Sequence, residues 1–115
     1  FHAASVKDRP CTDIIALLPR FWPLDIVAIT GRPEKWRQMT QEWLFNNGIL
    51  VTDLLMRPDK DFRPAPVCKV DLAQEFFEGD AAASVVCAFD DREDVVAAFK
   101  ALGITALQVH GRSYS

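Results

Sequence analysis

Residues 84–92 read Ser-Val-Val-Cys-Ala-Phe-Asp-Asp-Arg, an apolar run that stops at two adjacent carboxylates, Asp90 and Asp91. A strand that is apolar along its whole length is typical of a parallel sheet covered by helices on both faces. Ligands of such α/β proteins bind at the carboxyl ends of the parallel strands. The stretch therefore predicts a buried strand at about residues 84–89 that carries acidic groups to a functional site.

Strands and helices are predicted to alternate on both sides of this stretch. Apolar segments bounded by turn residues predict further strands at residues 25–30, 53–56 and 104–109. Apolar residues at helical spacing predict helices at about residues 12–21, 34–47, 67–78 and 92–102. This order predicts an α/β fold, a three-layer Rossmann-like sandwich with a mainly parallel sheet.

The first predicted element is a helix, whereas a parallel α/β unit begins with a strand. Only residues 1–10 precede that helix. We expect residues 1–115 to form a single domain that begins in the middle of a unit and lacks its first central strand. A missing N-terminal segment or a second copy of the chain, in a homodimer, would complete the sheet, because exposed strand edges are costly in a monomer.

The helix predicted at residues 34–47 carries Trp36, Met39, Trp43 and Leu44 at helical spacing. This spacing favours core positions for the two tryptophans over a ligand platform. The segment at residues 57–66 contains three prolines and five charged residues. It is predicted to be an exposed loop, and its length makes it a functional candidate.

The composition indicates one globular domain, with 115 residues that are 50% hydrophobic and 25% charged. A net charge of −3 argues against a general nucleic-acid or membrane-surface binder, which would be strongly basic. Residues 32–69 hold seven basic and five acidic residues, and the rest of the chain holds six basic and eleven acidic ones. The basic middle is compatible with a modest preference for anions or with ordinary solvated faces.

Cysteine usage and hydropathy bear on the compartment. The three cysteines are far apart and form no C-x-x-C pair, which disfavours structural zinc and a disulfide framework and favours a reducing cytoplasm. No apolar run approaches the about 20 residues of a membrane span. We therefore expect a cytoplasmic protein without membrane association.

Four polar residues of this pattern are predicted to converge. Thr30 and the pair Asp90 and Asp91 end predicted strands, and Lys69 lies at the start of a predicted helix. In a parallel sheet these places meet at one edge. The set suits phosphate chemistry, since a hydroxyl and a backbone N–H hold a phosphoryl oxygen, an ammonium neutralises it, and carboxylates hold Mg²⁺, a hard cation that prefers oxygen ligands.

Each of these residues also has a simpler interpretation. Thr30 fits an ordinary residue at the end of a strand, and on periodicity alone Lys69 fits a solvated helix lysine better than a buried one. Asp90 fits a cap of the following helix, and Asp91 fits its positive end. Two adjacent carboxylates repel each other, and a nearby cation offsets this repulsion. The pair therefore favours a cation-binding site over the simpler interpretation.

Motifs two, three and four of the haloacid dehalogenase (HAD) superfamily of phosphotransferases resemble three parts of this chain: Ile29-Thr30-Gly31-Arg32, Lys69 and Phe89-Asp90-Asp91-Arg92. The closer likeness is to the phosphatase domain of phage polynucleotide kinases and related small phage and bacterial phosphatases. It includes the Trp-Arg-x-Met-Thr-x-x-Trp helix that starts at Trp36, the Asp61-x-Arg63 pair, and the ending Leu107-Gln-Val109. The resemblance covers nearly the whole chain from Thr12 onward.

This resemblance implies a HAD-like fold and Mg²⁺-dependent removal of a phosphoryl group through an aspartyl-phosphate intermediate. It implies that Thr30 binds the phosphate, that Lys69 stabilises the phosphate and the nucleophile, and that Asp90 and Asp91 hold Mg²⁺ directly or through water. It further implies a phosphorylated small molecule or a nucleic-acid end as the substrate. Four residues are candidates for binding that substrate, the arginines because their planar forks match phosphate oxygens: Gly31, Arg32, Arg57 and Arg63.

The first motif of the family, Asp-x-Asp-Gly-Thr, is absent from the sequence. Its first aspartate is the nucleophile and its second is the general acid/base. No Asp-x-Asp precedes Thr30, and Asp59-Lys60-Asp61 lies in the proline-rich loop. We expect the chain to be a fragment truncated at its N-terminus, a phosphatase domain that is inactive alone. The alternative is a non-catalytic HAD-like module that binds a phosphorylated ligand or a protein.

Overall fold

The computed structural model describes Arg20 and residues 24–109 of the chain. Strands and helices alternate along residues 27–108, and a 3-10 turn precedes the first helix. In chain order they are β1 (Val27–Pro33), the 3-10 turn (Glu34–Trp36), α1 (Arg37–Asn46), β2 (Asp53–Arg57), α2 (Ala65–Phe76), α3 (Ala81–Ser84), β3 (Ala88–Asp90), α4 (Glu93–Ala101) and β4 (Ala106–Gln108). Apart from Arg20, the helix predicted at residues 12–21 lies outside the described residues.

The strands form two parallel pairs. β1 pairs with β2, with Thr30 opposite Met56, and β3 pairs with β4, with Asp90 opposite Gln108. Within residues 24–109 the two pairs belong to separate sheets. The predicted α/β fold with parallel strands is confirmed, and no strand in this part of the chain joins β1 to β3.

Helices cover both faces of the first strand pair. Ala28 packs in one cluster with Leu44 of α1, whereas Ile29 packs in the other cluster with Ala73 of α2 and Phe99 of α4. Successive side chains of a strand point to opposite faces of its sheet. The helix α1 therefore lies on one face, and α2 and α4 lie on the other, as in the predicted three-layer sandwich.

A cavity of about 660 Å³ lies between the two strand pairs, towards the amino ends of their strands. Its lining is mainly apolar and includes Val27 and Ile29 of β1, Phe89 of β3 and Phe99 of α4. The place where a central strand is expected is thus bounded by β1 on one side and by β3 on the other.

The prediction of one continuous strand at residues 84–89 is wrong at its beginning. Ser84 ends the helix α3, and the strand is confined to Ala88–Asp90. Val86, which the pattern places in the core, is 68% exposed. The reason lies in Ala81-Ala-Ala, because three alanines favour a helical turn and shift the start of the strand towards the carboxylates.

The helix predicted at residues 34–47 exists, but its first turn is a 3-10 turn that ends at Trp36. Because a 3-10 turn has three residues per turn, Trp36 falls out of line with the apolar stripe of α1. Trp43 packs against the cluster that contains Leu44, as predicted. The predicted core position of Trp36 is wrong, since its side chain is 42% exposed.

The helix α2 begins at Ala65, two residues before its predicted start. Pro66 falls within the first turn, where a backbone N–H has no helical partner and proline is tolerated. Among the described helices none is both long enough and apolar enough to span a membrane.

Candidate active site

Three side chains of the predicted site are polar and almost completely buried. Thr30 lies on β1 just before the pairing register shifts, and Asp90 is the last residue of β3. Lys69 lies in the second turn of α2. Thr30 is fully buried, Lys69 is 1% exposed and Asp90 is 3% exposed. Charged side chains are almost never this buried unless they are paired, so these positions mark a candidate site.

The structure brings Lys69 and Asp90 together. The Lys69 ammonium donates a hydrogen bond from Nζ to Oδ2 of Asp90 at 2.8 Å. Lys69 is therefore not the solvated helix lysine that its periodicity favours. The pair joins the interior face of α2 to the carboxyl end of β3, across 21 residues of sequence.

Burial lowers the pKa of the Lys69 ammonium from its ordinary value, and the adjacent Asp90 carboxylate opposes this shift. A buried ammonium is costly because it loses its hydration, and a close carboxylate offsets part of that cost. The described site thus contains a positive charge in a poorly solvated place, where a charge acts more strongly than it does in water.

Thr30 in β1 and Asp90 at the end of β3 form similar side-chain turns. The Arg32 backbone N–H donates to Oγ1 of Thr30 at 3.2 Å, and the Arg92 backbone N–H donates to Oδ1 of Asp90 at 2.9 Å. The helix α4 begins at Glu93 and has no side-chain cap. The simpler interpretation of Asp90 as a helix cap is therefore wrong, and its carboxylate instead connects Lys69 to the turn that leaves the strand.

Arg57, at the end of β2, ties the turn after Thr30 to the loop that follows β2. Its Nε donates to the Gly31 carbonyl at 2.9 Å. Its Nη1 donates to the carbonyl oxygens of Asp61 at 2.9 Å and Arg63 at 2.6 Å. One guanidinium thus fixes the backbone on both sides of this edge of the sheet.

A second set of charged contacts holds the same loop on α2. The Arg63 guanidinium donates to the Asp61 carboxylate at 2.8 Å and also bonds the carboxylate of Asp71. Hydrogen bonds from Arg63 lower the pKa of Asp61 to about 2. Asp61 is therefore ionised at neutral pH, where it accepts these hydrogen bonds.

The residues predicted to bind the substrate differ in the contacts that they make within the protein. Gly31 lies in the register shift between Thr30 and Pro33. Arg57 and Arg63 already make the contacts described above, and Arg32 is half-buried with Nη1 at 4.0 Å from the sulfur of Met39. Their substrate-binding roles remain predictions, and the bracing action of Arg57 is one that sequence reasoning missed. Its one signal is an arginine placed between an apolar strand and a proline.

The carboxylates at the end of β3 fit magnesium rather than zinc. Asp90 is buried and Asp91 is half-buried, and both offer only oxygen ligands. No group of three or more histidine, cysteine or acidic side chains forms a metal cluster among the described residues. Mg²⁺ keeps several waters and is commonly held by one or two carboxylates together with substrate oxygens, so this donor set suits it.

A model of the polynucleotide kinase PNKP phosphatase domain matches residues 2–114 of this chain. No curated protein matches it. A chain in the structure of the Pnkp1/Rnl/Hen1 RNA repair complex is 25% identical, with a TM-score of 0.80. A chain in a second structure of a Pnkp1/Rnl/Hen1 complex is 25% identical, with a TM-score of 0.81.

The match to these solved structures covers 96% of this chain but 36% of the first relative and 38% of the second. The family model spans almost the whole sequence, and its HAD-like phosphatase fold agrees with the three layers and parallel strands described above. The chain belongs to the family of polynucleotide kinase PNKP phosphatase domains.

Proposed function

We propose that this domain removes phosphate, with Mg²⁺, from phosphomonoesters at the ends of nucleic acids or of nucleotides. The observation that carries the proposal is the buried Lys69–Asp90 ion pair, with its Nζ–Oδ2 distance of 2.8 Å, at the sheet edge where Thr30 also lies. The solved relatives belong to Pnkp1/Rnl/Hen1 complexes, one of them described as an RNA repair complex, which makes RNA ends the first substrates to test.

Lys69 and Thr30 are the residues that contact the phosphoryl group in this proposal. The ammonium stabilises negative charge on the transferring phosphoryl oxygens, and its poorly solvated position strengthens this effect. The Thr30 hydroxyl accepts a hydrogen bond from the Arg32 backbone N–H. In the proposal this hydroxyl, which the Arg32 backbone N–H orients, donates a hydrogen bond to a phosphoryl oxygen.

Asp90 and Asp91 hold Mg²⁺ in this proposal. When bound, the ion supplies Lewis-acid stabilisation of the phosphate charge. The Asp90 carboxylate already orients Lys69 and the turn at Arg92. In the proposal, the Asp90 side chain thus positions the Lys69 ammonium relative to the phosphate. Asp91 provides the second carboxylate for Mg²⁺.

The nucleophile in this proposal is an aspartate outside the described residues. Within that part of the chain the only Asp-x-Asp spacing is Asp59-Lys60-Asp61, in the loop after β2. Asp59 accepts a hydrogen bond from the Lys35 backbone N–H, and Asp61 is bound to Arg63. The proposed nucleophile instead ends a strand between β1 and β3, where the apolar cavity lies.

The Asp91→Asn substitution is expected to weaken the response to Mg²⁺ while the fold is kept. Asp91 is half-buried and lies just after β3, outside the two apolar core clusters, so its loss affects the metal more than the core. In a form of the protein that carries the nucleophile, the Mg²⁺ concentration for half-maximal phosphate release should rise by about tenfold or more.

The proposed function is tested with a form of the protein that carries the nucleophile. Phosphate release is measured from RNA and DNA oligonucleotides phosphorylated at either end, with and without EDTA. The matched control for Asp91→Asn is Asp94→Asn, since Asp94 is an exposed acid on α4 that pairs with Arg92. Release that is unaffected by EDTA would contradict the metal dependence. Equal Mg²⁺ responses of the two variants would contradict the assignment of Asp91.

A further inference from the structure

Phe62, in the loop after β2, is 89% exposed, although both of its neighbours in the chain are hydrogen-bonded. The residues on either side of it, Asp61 and Arg63, both accept hydrogen bonds from Nη1 of Arg57 at their carbonyl oxygens. Arg63 is further bound to Asp61 and Asp71. The protein therefore holds a large aromatic side chain in water on a braced backbone.

A single exposed apolar side chain is common and by itself indicates nothing. Phe62 differs because the guanidinium that braces it also binds the Gly31 carbonyl, one residue from Thr30. Its backbone position is thus fixed relative to the proposed phosphate site. A backbone that is already fixed before binding loses less conformational freedom when a ligand binds.

A second exposed aromatic residue lies where this loop meets the 3-10 turn. The Lys35 backbone N–H donates to Oδ1 of Asp59 at 3.0 Å, which fastens the loop beside Trp36. Trp36 is half-exposed, and the Lys35 ammonium lies 5.6 Å from the centroid of its ring. The two aromatic side chains thus belong to two segments that are bonded to each other.

Each of the two segments that carry these aromatic side chains also carries an exposed lysine. Lys35 and Lys60 are exposed and take part in no ion pair within the described residues. The nearby acids all have partners, since Asp59 accepts a hydrogen bond from the Lys35 backbone, Glu34 pairs with Arg37, and Asp61 and Asp71 pair with Arg63. Lys60 has a φ of 65°, a conformation uncommon for lysine that is associated with functional sites.

We propose that Phe62 and Trp36 form a stacking platform for the bases of single-stranded nucleic acid, with Lys35 and Lys60 attracting its phosphates. Aromatic side chains beside exposed lysines are the usual means of binding single strands without reading their sequence. The platform deepens the proposed function, on which it rests, because it would place a strand whose terminal phosphate enters the site at Thr30 and Lys69.

The test is the affinity for a fluorescently labelled single-stranded RNA oligonucleotide of about eight nucleotides that carries no terminal phosphate. Fluorescence anisotropy measures its dissociation constant for the protein, so the result does not depend on catalysis. Phe62→Ala is expected to weaken binding by about 5- to 100-fold, the usual effect of removing one stacked aromatic side chain. Phe62→Trp should retain the affinity, because it preserves a ring.

The matched control is Phe45→Ala, since Phe45 is 75% exposed but lies near the far end of α1. Circular dichroism verifies that each variant is folded. Wild-type affinity of Phe62→Ala, an equal loss in Phe45→Ala, or no oligonucleotide binding by the wild type would each overturn the platform. Phosphate release from a small ester without a base, by a form of the protein that carries the nucleophile, tests the phosphatase separately, because such an ester has no base to stack on Phe62.

Discussion

Replacement of Lys69 by methionine is expected to lower the free energy of unfolding by about 3–5 kcal/mol, because it leaves the Asp90 carboxylate buried without its ammonium partner. Asp90 is 3% exposed and its Oδ2 lies 2.8 Å from the Lys69 ammonium. Methionine fills most of the lysine side-chain volume, so the loss arises from the uncompensated charge rather than from a cavity. Urea denaturation at neutral pH measures the change.

The double variant Lys69→Met with Asp90→Asn distinguishes a loss caused by the uncompensated charge from a loss caused by a cavity. Both side chains are then neutral, and the introduced amide still offers an oxygen to the Arg92 backbone N–H that the aspartate binds. We expect this variant to recover part of the stability that Lys69→Met loses. The control Lys100→Met, at an exposed lysine of α4, should change stability by at most about 0.5 kcal/mol. A double variant less stable than the single one would contradict the charge argument.

The 115-residue chain is expected to release no phosphate from phosphorylated RNA or DNA oligonucleotides. A form extended at its amino end by about 30 residues, enough for a strand and a loop that end in Asp-x-Asp, is expected to release it with Mg²⁺. The physical reason is that the proposed site stabilises charge through Lys69, Thr30 and the acidic pair. Among the described residues, none is assigned the role of the nucleophile that attacks phosphorus.

The first aspartate of that added motif provides the control. Its substitution by asparagine should reduce kcat by about 10⁴-fold or more, as for the loss of other enzymatic nucleophiles. Phosphate release by the unextended chain at a rate close to that of the extended form would contradict the proposed position of the nucleophile. Multiple-turnover assays with both forms at equal concentration distinguish these results.

The sequence was sufficient to predict the convergence of Lys69 and Asp90, because the alternation of strands and helices fixes which ends meet in a parallel sheet. It was also sufficient for the parallel pairing of the strands. Both predictions depend on the order of elements and on little else.

Other features depend on contacts between distant residues and could not be predicted. The burial of Lys69 results from the way α2 packs, whereas its local spacing resembles that of a solvated lysine. The exposure of Trp36 results from a 3-10 turn that the apolar spacing does not reveal. The hydrogen bonds of Arg57 go to backbone carbonyl groups, which every residue has, so the pattern of side chains does not predict them.

The central claim is that the Lys69–Asp90 pair serves phosphate transfer rather than stability alone. The most direct measurement is kcat/KM of the extended form that carries Lys69→Met and Asp90→Asn, after urea denaturation has shown that it is folded. We predict a loss of at least about 100-fold relative to the extended wild type, since electrostatic stabilisation of the phosphoryl group is removed. A folded double variant with wild-type kcat/KM would contradict the claim.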